Sequence, residues 1–159
     1  YYPESFITKT PILKSQGNAV VTKIPPVSHK VRYLSYGVKR ALLEVEYEDF
    51  VLYLVHLSLG RKARTKQLEE LAERCMSSKK PVILAGDCNT FGGEDELFPL
   101  IERVGLKNAN SDLMPTYPSS SPRMLLDFVL YSPEIKVDNL FIPKVTFSDH
   151  LPLVCDFSL

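Results

Sequence analysis

The chain has 159 residues, of which 45% are hydrophobic and 24% are charged, proportions typical of a globular domain. Its 19 lysines and arginines balance its 19 aspartates and glutamates. This balance excludes a strongly basic protein that coats nucleic acid, but it leaves a local basic patch open. The chain begins with Tyr1 and its first methionine is Met76, so we expect that further sequence precedes it.

The three cysteines, Cys75, Cys88 and Cys155, form neither a disulfide framework nor a C-x-x-C pair for zinc. We therefore expect reduced thiols and a cytoplasmic protein, although removal of an upstream signal would leave secretion open. The longest apolar stretch, residues 50–57, is interrupted by His56. It is far shorter than the ~18 residues that a membrane span requires, so the sequence predicts no membrane span.

The first half of the chain alternates between loops and strands. Residues 1–16 contain two prolines and predict a loop. Residues 41–47 alternate apolar and other side chains, which predicts a half-buried strand. The near-continuous apolar run over 50–57 predicts a strand buried on both faces and paired with it in a hairpin. Weaker patterns predict short strands at 19–21 and 31–35.

The second half changes to helical periodicity and then returns to strands. Apolar side chains at i, i+3, i+4 and i+7 predict an amphipathic helix over 62–78: Leu68, Leu71, Ala72 and Cys75. The other predicted elements are a strand at 82–85, a helix at 96–104 ended by Gly105, a loop at 115–122, and strands at 125–131, 135–142 and 151–158. Hairpins combined with strand–helix–strand passages predict an α/β or α+β layered fold.

Two residues that can carry charge lie inside apolar strand patterns. Asp127 shares its strand face with Leu125 and Val129, where a carboxylate is costly to bury unless it meets a partner, a metal or a histidine. An equally weighted alternative is an aspartate at a strand end that reaches solvent or a backbone N–H group. His56 closes the most apolar strand, where a lone histidine is more often a hydrogen-bonded core residue than a catalyst.

Two further polar pairs follow or precede apolar strands. Asp87 and Asn89 come directly after the strand at 82–85, and their i, i+2 spacing in an extended segment puts both side chains on one face. They could hold a phosphate or a metal, or they could form an Asx-rich turn that caps the strand. Asp149 and His150 are adjacent, so the carboxylate could orient the imidazole, although neighbouring residues usually point apart.

Together these residues favour one class of chemistry. Two histidines, several aspartates and an asparagine at strand ends match metal-assisted hydrolysis of a phosphoester better than acyl transfer. The sequence contains no G-x-S-x-G, H-E-x-x-H or G-x-x-x-x-G-K-[ST] motif, which argues against a serine hydrolase, a zinc protease and a P-loop nucleotide-binding protein.

Five segments in this order resemble the endonuclease/exonuclease/phosphatase superfamily, which has the deoxyribonuclease I-like fold. They are Gly17-Asn18-Ala19, Val55-His56-Leu57, Gly86-Asp87-Cys88-Asn89, Leu126-Asp127-Phe128 and Ser148-Asp149-His150. The resemblance implies a four-layer sandwich of two mixed β-sheets flanked by helices. It also implies a phosphodiesterase or nuclease that depends on Mg²⁺ (or Mn²⁺).

The resemblance also implies roles for the residues that match. Asp87 would activate or orient the attacking water, and Asn89 would hold the phosphate and that water. His150 would stabilise charge on the phosphoryl oxygens, with Asp149 orienting it or reaching the metal. Asp127 and His56 would form the second acid–base side of the site. In-line attack on phosphorus requires these three kinds of help: a positioned water, charge neutralisation and support for the leaving oxygen.

One family feature has no match in this chain. Members carry a metal-binding glutamate on an early strand, whereas Glu4 is flanked by Pro3 and lacks an apolar strand. We therefore expect residues 1–159 to be a single domain of this family that lacks its N-terminal strands. Unpaired sheet edges would then favour a dimer or pairing with a separate N-terminal segment, and metal affinity would be weak. The alternative to an enzyme is a non-catalytic interaction module with the same fold.

The sequence indicates a phosphoester substrate but does not select one kind of phosphoester. Nucleic acid is one of the alternatives. Basic residues Arg61, Lys62, Arg64 and Lys66 follow the His56 strand. The favoured interpretation is the solvated face of a helix start, and the alternative is a track for a nucleic-acid backbone to which Arg123 contributes. Tyr117 could stack on a base, although an aromatic residue resting on the surface is the commoner case.

Overall fold

The computed structural model describes residues 17–37 and 40–159. The predicted loop over 1–16, together with Glu4, lies outside these residues. The strands are β1 Ser28–Tyr33, β2 Ala41–Glu46, β3 Val51–His56, β4 Val82–Asp87, β5 Lys107–Asn108, β6 Asp127–Tyr131, β7 Lys136–Phe141 and β8 Val154–Ser158. The helices are α1 Arg61–Met76 and α2 Phe98–Val104, with a 3₁₀ turn at Gly93–Glu96.

The strands form two sheets, which confirms the predicted α/β class. The large sheet has the order β1-β2-β3-β4-β6-β5, with β3 and β4 parallel and every other pair antiparallel. It is therefore a mixed sheet. The second sheet, in the part of the chain described, is the antiparallel pair β7–β8. Both helices pack into the core on one face of the large sheet, so the described residues form three of the four expected layers.

The two faces of β3 differ in burial. Val51, Tyr53 and Val55 are buried in the core beneath the helices, whereas Leu52 and Leu54 are half-buried on the opposite face. The prediction of a strand fully buried on both faces was therefore wrong. The opposite face borders a groove of about 360 Å³ between the two sheets, whose lining includes residues of β3, β4, β6, β7 and β8.

Helix α1 follows its predicted pattern, because Leu68, Leu71, Ala72 and Cys75 are all buried. The same face also buries Arg64 and Gln67, which are 1% and 0% exposed. The expectation that Arg64 belongs to a solvated basic face was therefore wrong. Its charge is accommodated by Glu96, whose Oε2 accepts from Arg64 Nε at 3.0 Å.

Three local predictions differ from the structure. Residues 19–21 form no strand, and only the following Thr22 makes an isolated bridge. The predicted helix at 96–104 is divided into the 3₁₀ turn and α2, which has a proline in its first turn and ends at Gly105 in the left-handed conformation. The short strand β5 was missed because two residues are too few to show a period.

The three cysteines are free thiols, with Cys75 and Cys88 buried and Cys155 partly exposed. Across residues 17–37 and 40–159, no helix combines the length and hydrophobicity that crossing a bilayer demands. The cytoplasmic location stays a prediction.

Candidate active site

Three strand ends bring the polar residues to one edge of the large sheet. His56 ends β3 and Asp87 ends β4, and the parallel register places these two residues side by side. Asp127 begins β6 directly opposite Asp87 in the antiparallel register. Strand pairing alone therefore aligns the three side chains, although they are 31 and 40 positions apart in the sequence.

Asp127 is held by two hydrogen bonds to a single oxygen. Its Oδ2 accepts from Thr116 Oγ1 at 2.6 Å and lies 2.7 Å from His150 Nδ1. Because an ionised carboxylate can only accept, His150 donates through Nδ1 and its Nε2 is left toward Asp87 Oδ2, at 3.9 Å. Thr116 is completely buried, and sequence reasoning missed it because a lone threonine in a proline-rich loop has no distinctive pattern.

The predicted loop at 115–122 positions His150. The backbone N–H of Ser119 donates to the carbonyl of Asp149 at 2.7 Å, and that of Leu151 donates to the carbonyl of Thr116 at 2.8 Å. The ring of Tyr117 lies 4.8 Å from the ring of His150, centroid to centroid. This aromatic side chain thus packs against the imidazole of His150.

Asp87 lies at the centre of the cluster. Its Oδ1 accepts from the backbone N–H of Asn89 at 2.9 Å, and its Oδ2 lies 3.4 Å from His56 Nε2. Potential ligand atoms of Asp87, Asp127 and His150 all lie within 4.8 Å of one another. The arrangement can therefore exchange a proton between carboxylate and imidazole, or hold a cation between the two carboxylates.

Asn89 is buried, and its side chain is fixed. It adopts φ 51°, a left-handed conformation that asparagine tolerates better than most residues. Its Nδ2 donates to the carbonyl of Leu57 at 2.9 Å, while the N–H of Leu57 donates to the carbonyl of Asp87. The segment after β3 thus determines how Asn89 is oriented.

Buried polar side chains of α1 hold that segment in place. Arg64 Nη1 donates to the carbonyls of Ser58 and Leu59 at 2.9 and 2.8 Å. Gln67 Oε1 accepts from the N–H of Ser58 at 2.9 Å. Arg64 is therefore part of the frame beneath the site and does not belong to a surface track for a nucleic-acid backbone.

Burial and neighbouring charges shift the pKa values of the cluster. Burial raises the pKa of Asp87 above its ordinary value, although the hydrogen bond from Asn89 and the nearby His56 oppose the rise. Burial, together with the positive charge of Arg40, lowers the pKa of His56. For His150, burial opposes protonation, but the hydrogen bond to Asp127 and the surrounding carboxylates outweigh it and raise the pKa.

Arg40 is a cation of this site that the sequence did not reveal. It directly precedes β2, and its carbonyl accepts from the N–H of Leu34. Burial lowers the pKa of its guanidinium, while the nearby Asp87 carboxylate opposes this effect. A single arginine before a strand belongs to no recognisable motif. Its proximity to His56 and Asp87 therefore becomes apparent only from the sheet register.

Two predicted site residues lie further out. Asp149 is exposed, and its Oδ1 accepts from Ser148 Oγ at 3.1 Å, so it does not join the Asp87–Asp127–His150 group. Arg123 is also exposed, and its backbone N–H donates to the carbonyl of Tyr117. It borders the loop that carries Thr116.

The donor set fits a hard divalent cation in part. Carboxylate oxygens are preferred ligands of both Mg²⁺ and Mn²⁺. Oδ2 of Asp127 is engaged by Thr116 and His150, so among the described residues its Oδ1 and a carboxylate oxygen of Asp87 are the natural ligands. Two protein oxygens leave most of the coordination sphere to water and substrate, as is common for Mg²⁺.

Known proteins share this fold. An endonuclease/exonuclease/phosphatase structure from Beutenbergia cavernae superposes with a TM-score of 0.74 at 22% identity, over 90% of this chain and 47% of that one. The mannosyl-6-phosphatase of Bacteroides thetaiotaomicron gives a TM-score of 0.73 at 17% identity, over 85% of this chain and 67% of that one. At such identities the likeness shows the fold alone.

Sequence comparison extends the relationship. A UPF0294 protein of Erwinia tasmaniensis is 26% identical over 153 residues, which cover 95% of this chain and 50% of that protein. The chain spans between 40% and 50% of the length of the curated relatives it matches. A family model matches residues 2–150, nearly the whole chain. The chain therefore belongs to the Endonuclease/Exonuclease/phosphatase family.

Proposed function

We propose that the chain is a metal-dependent phosphoester hydrolase, of the phosphodiesterase or nuclease kind, in which Asp87 activates the attacking water. The observation that carries the proposal is the convergence of Asp87, Asp127 and His150 within 4.8 Å, with His56 on the other side of Asp87. Family membership supports the same class of reaction.

Asp87 is the proposed general base. Its raised pKa makes the carboxylate a stronger base, closer to the value that suits proton transfer near neutral pH. His56 lies 3.4 Å from it, and because the pKa of His56 is lowered, this imidazole is neutral near pH 7 and can accept the proton in turn. The pair provides a route for the proton away from the water.

Asn89 and His150 are the proposed contacts to the phosphoryl group. One N–H of the Asn89 amide is engaged by the carbonyl of Leu57, and an amide nitrogen carries a second hydrogen for a phosphoryl oxygen. The raised pKa of His150 increases its protonated fraction, so its Nε2 can donate to an oxygen that gains negative charge. Asp127 fixes its tautomer and its ring orientation.

Asp127 and one carboxylate oxygen of Asp87 would hold the divalent cation, and the other oxygen of Asp87 would remain to accept the proton of the water. When bound, Mg²⁺ or Mn²⁺ supplies charge neutralisation at the non-bridging phosphoryl oxygens. Asp149 acts here through its charge, which raises the pKa of His150. Arg123, exposed beside the loop at 115–122, is proposed to contact a further phosphate of the substrate.

Hydrolysis of bis(p-nitrophenyl) phosphate with Mg²⁺ or Mn²⁺ tests the proposal. We expect activity that EDTA removes, and Asp87→Asn should lower kcat about 10³-fold because it removes the base. Asp156→Asn, an exposed aspartate of β8, is the matched control and should keep the wild-type rate. A wild-type chain that hydrolyses neither this diester nor p-nitrophenyl phosphate would favour the non-catalytic module.

Partners and assembly remain predictions within this proposal. A phosphoester is the expected substrate, with nucleic acid as one candidate. A dimer, or pairing with an N-terminal segment, is expected if sheet edges lack partners. Size-exclusion chromatography with light scattering that shows only an 18.0 kDa monomer would contradict this expectation.

A further inference from the structure

A second groove lies between the start of α1 and the segment that follows β4. It has a volume of about 460 Å³, and its lining comprises Leu59, Arg61, Arg64, Phe91, Gly92, Asp95 and Glu96. Phe91 is two residues beyond Asn89, and its N–H donates to the carbonyl of Asn89 at 3.1 Å. Leu59 is three residues beyond His56. The groove is therefore lined by the two segments that directly follow the site residues His56 and Asn89 in the sequence.

Phe91 is exposed, yet its ring rests on a fixed support. The residue is 52% exposed, while the Arg64 guanidinium carbon lies 5.8 Å from the centroid of its ring, within the range of a cation–π contact. Arg64 itself is 1% exposed and hydrogen-bonded to Glu96 and to the carbonyls of Ser58 and Leu59. The ring is thus presented on a rigid base, which lowers the entropy cost of stacking a ligand on it.

Charged groups flank this aromatic platform. Arg61 and Asp95 are both exposed and both line the groove. A hydrocarbon chain in the groove would leave these charges facing an apolar ligand, which is unfavourable. A planar ring that carries hydrogen-bond donors and is attached to a phosphate matches these residues better. Its ring would stack on Phe91, one of its donors would bind Asp95, and the phosphate would bind Arg61.

We propose that this groove binds a nucleobase of the substrate, stacked on Phe91, while the adjoining phosphodiester lies at Asp87 and Asn89. The inference rests on the proposed function and adds the substrate class, a single-stranded nucleic acid or oligonucleotide. Stacking on one aromatic ring tolerates every base, because every base has a π-face. The subsite therefore contributes affinity without sequence preference.

Binding in EDTA tests the subsite independently of hydrolysis. Fluorescence anisotropy of the full chain would compare a labelled oligothymidylate with an oligomer of the same length and backbone that lacks bases. We expect the wild type to bind the oligothymidylate about five- to tenfold more tightly, as one stacked base predicts. Phe91→Ala should abolish that preference. Phe98→Ala, which removes a ring that is 54% exposed on α2, should retain it.

Each outcome decides the proposal. Equal wild-type affinity for the two oligomers, or a preference that persists in Phe91→Ala, would overturn it. A larger loss of mannose 6-phosphate binding than of oligothymidylate binding in Phe91→Ala would assign the groove to a sugar and would also overturn it. The binding experiment measures no turnover, so the absence of base stacking would leave hydrolysis of bis(p-nitrophenyl) phosphate unaffected. If the proposed function is wrong, the hydrolysis assay alone will show it.

Discussion

His150 Nδ1 lies 2.7 Å from Asp127 Oδ2, so the C-terminal segment is tied to the first residue of β6. This contact connects the loop before β8 to the large sheet through one hydrogen bond that a carboxylate oxygen accepts. Such bonds are about twice as strong as neutral ones. It also favours the protonated imidazole, which is one cause of the raised pKa of His150.

Asp127→Asn should lower the pKa of His150 toward its ordinary value of about 6.5. The substitution keeps the shape of the side chain and removes its charge and the strong acceptor. The change is measured by following the imidazole resonances of His150 during an NMR pH titration. Asp156→Asn is the control, because this exposed aspartate of β8 is not among the groups that shift the pKa of His150.

The same substitution should change the pH dependence of stability in a defined direction. The pKa of His150 is higher in the folded state than in the unfolded state, so its stabilising contribution is complete below the unfolded pKa and is lost as the pH rises through the folded pKa. The difference in unfolding free energy between wild type and Asp127→Asn should therefore be largest at mildly acidic pH. Urea unfolding that shows the largest difference at alkaline pH would contradict this.

At Asn89, glycine should be a better replacement than alanine. Both substitutions remove the hydrogen bond to the carbonyl of Leu57, but φ 51° is costly for alanine and not for glycine. We expect Asn89→Gly to be more stable than Asn89→Ala by about 1 kcal/mol in urea unfolding. Both variants should lose activity if Asn89 holds the phosphate.

Ser77 provides the matched control for this comparison. It follows α1 with φ −81°, an ordinary right-handed conformation. There Ser77→Ala should be more stable than Ser77→Gly, because glycine gains more freedom in the unfolded chain. The same order of alanine and glycine at both positions would show that the backbone conformation of Asn89 carries no cost.

Much of the sheet and part of the site were predictable from the sequence. Alternating apolar side chains predicted β2, and apolar side chains at helical spacing predicted α1, because each pattern extended over many residues. Asp87, Asp127 and His150 could be singled out as candidates because carboxylates and imidazoles are conspicuous within or beside apolar strands. That they meet in one site was implied only by the family resemblance, and the structure brings their potential ligand atoms within 4.8 Å of one another.

Other residues of the site depend on contacts between distant segments. Thr116 and Arg40 become significant only when the sheet register brings them to Asp127 and Asp87. Arg64 was misassigned although a signal existed, because it lies four residues before Leu68 and therefore on the same face of α1. A charged residue on an apolar helix face predicts a buried partner, here Glu96.

The thiols should differ sharply in reactivity. Burial raises the pKa of Cys75 to about 12 and also raises that of Cys88 strongly, and both side chains are buried. Cys155 is partly exposed, although its pKa is also raised by burial. Because the thiolate is the reactive species, we expect Ellman's reagent at pH 8 to label only Cys155 in the native protein and all three thiols in guanidinium.

Peptide mapping identifies the labelled thiol. Cys155→Ser should remove native labelling and leave two thiols that react after unfolding. Native labelling of Cys88, which directly follows Asp87, would show that the edge of the sheet opens far more readily than the structure implies.

Gly86→Ala should destabilise the chain far more than Gly93→Ala. Both glycines have positive φ, 134° and 72°, so both substitutions strain the backbone by about 1–2 kcal/mol. A Cβ at residue 86 would also lie 2.0 Å from the carbonyl oxygen of Val55, whereas a Cβ at residue 93 meets nothing within 4 Å. The clash is with the backbone of β3, which is paired to β4 and cannot move alone.

We therefore expect urea unfolding to show a loss of about 3 kcal/mol or more for Gly86→Ala and about 1 kcal/mol for Gly93→Ala. Since Gly86 directly precedes Asp87, any relief of the clash must separate the ends of β3 and β4, where His56 and Asp87 lie 3.4 Å apart. Folded Gly86→Ala protein should consequently lose activity as well as stability. Equal losses of stability at the two positions would contradict the close approach of β3 and β4 and, with it, the alignment of the candidate base.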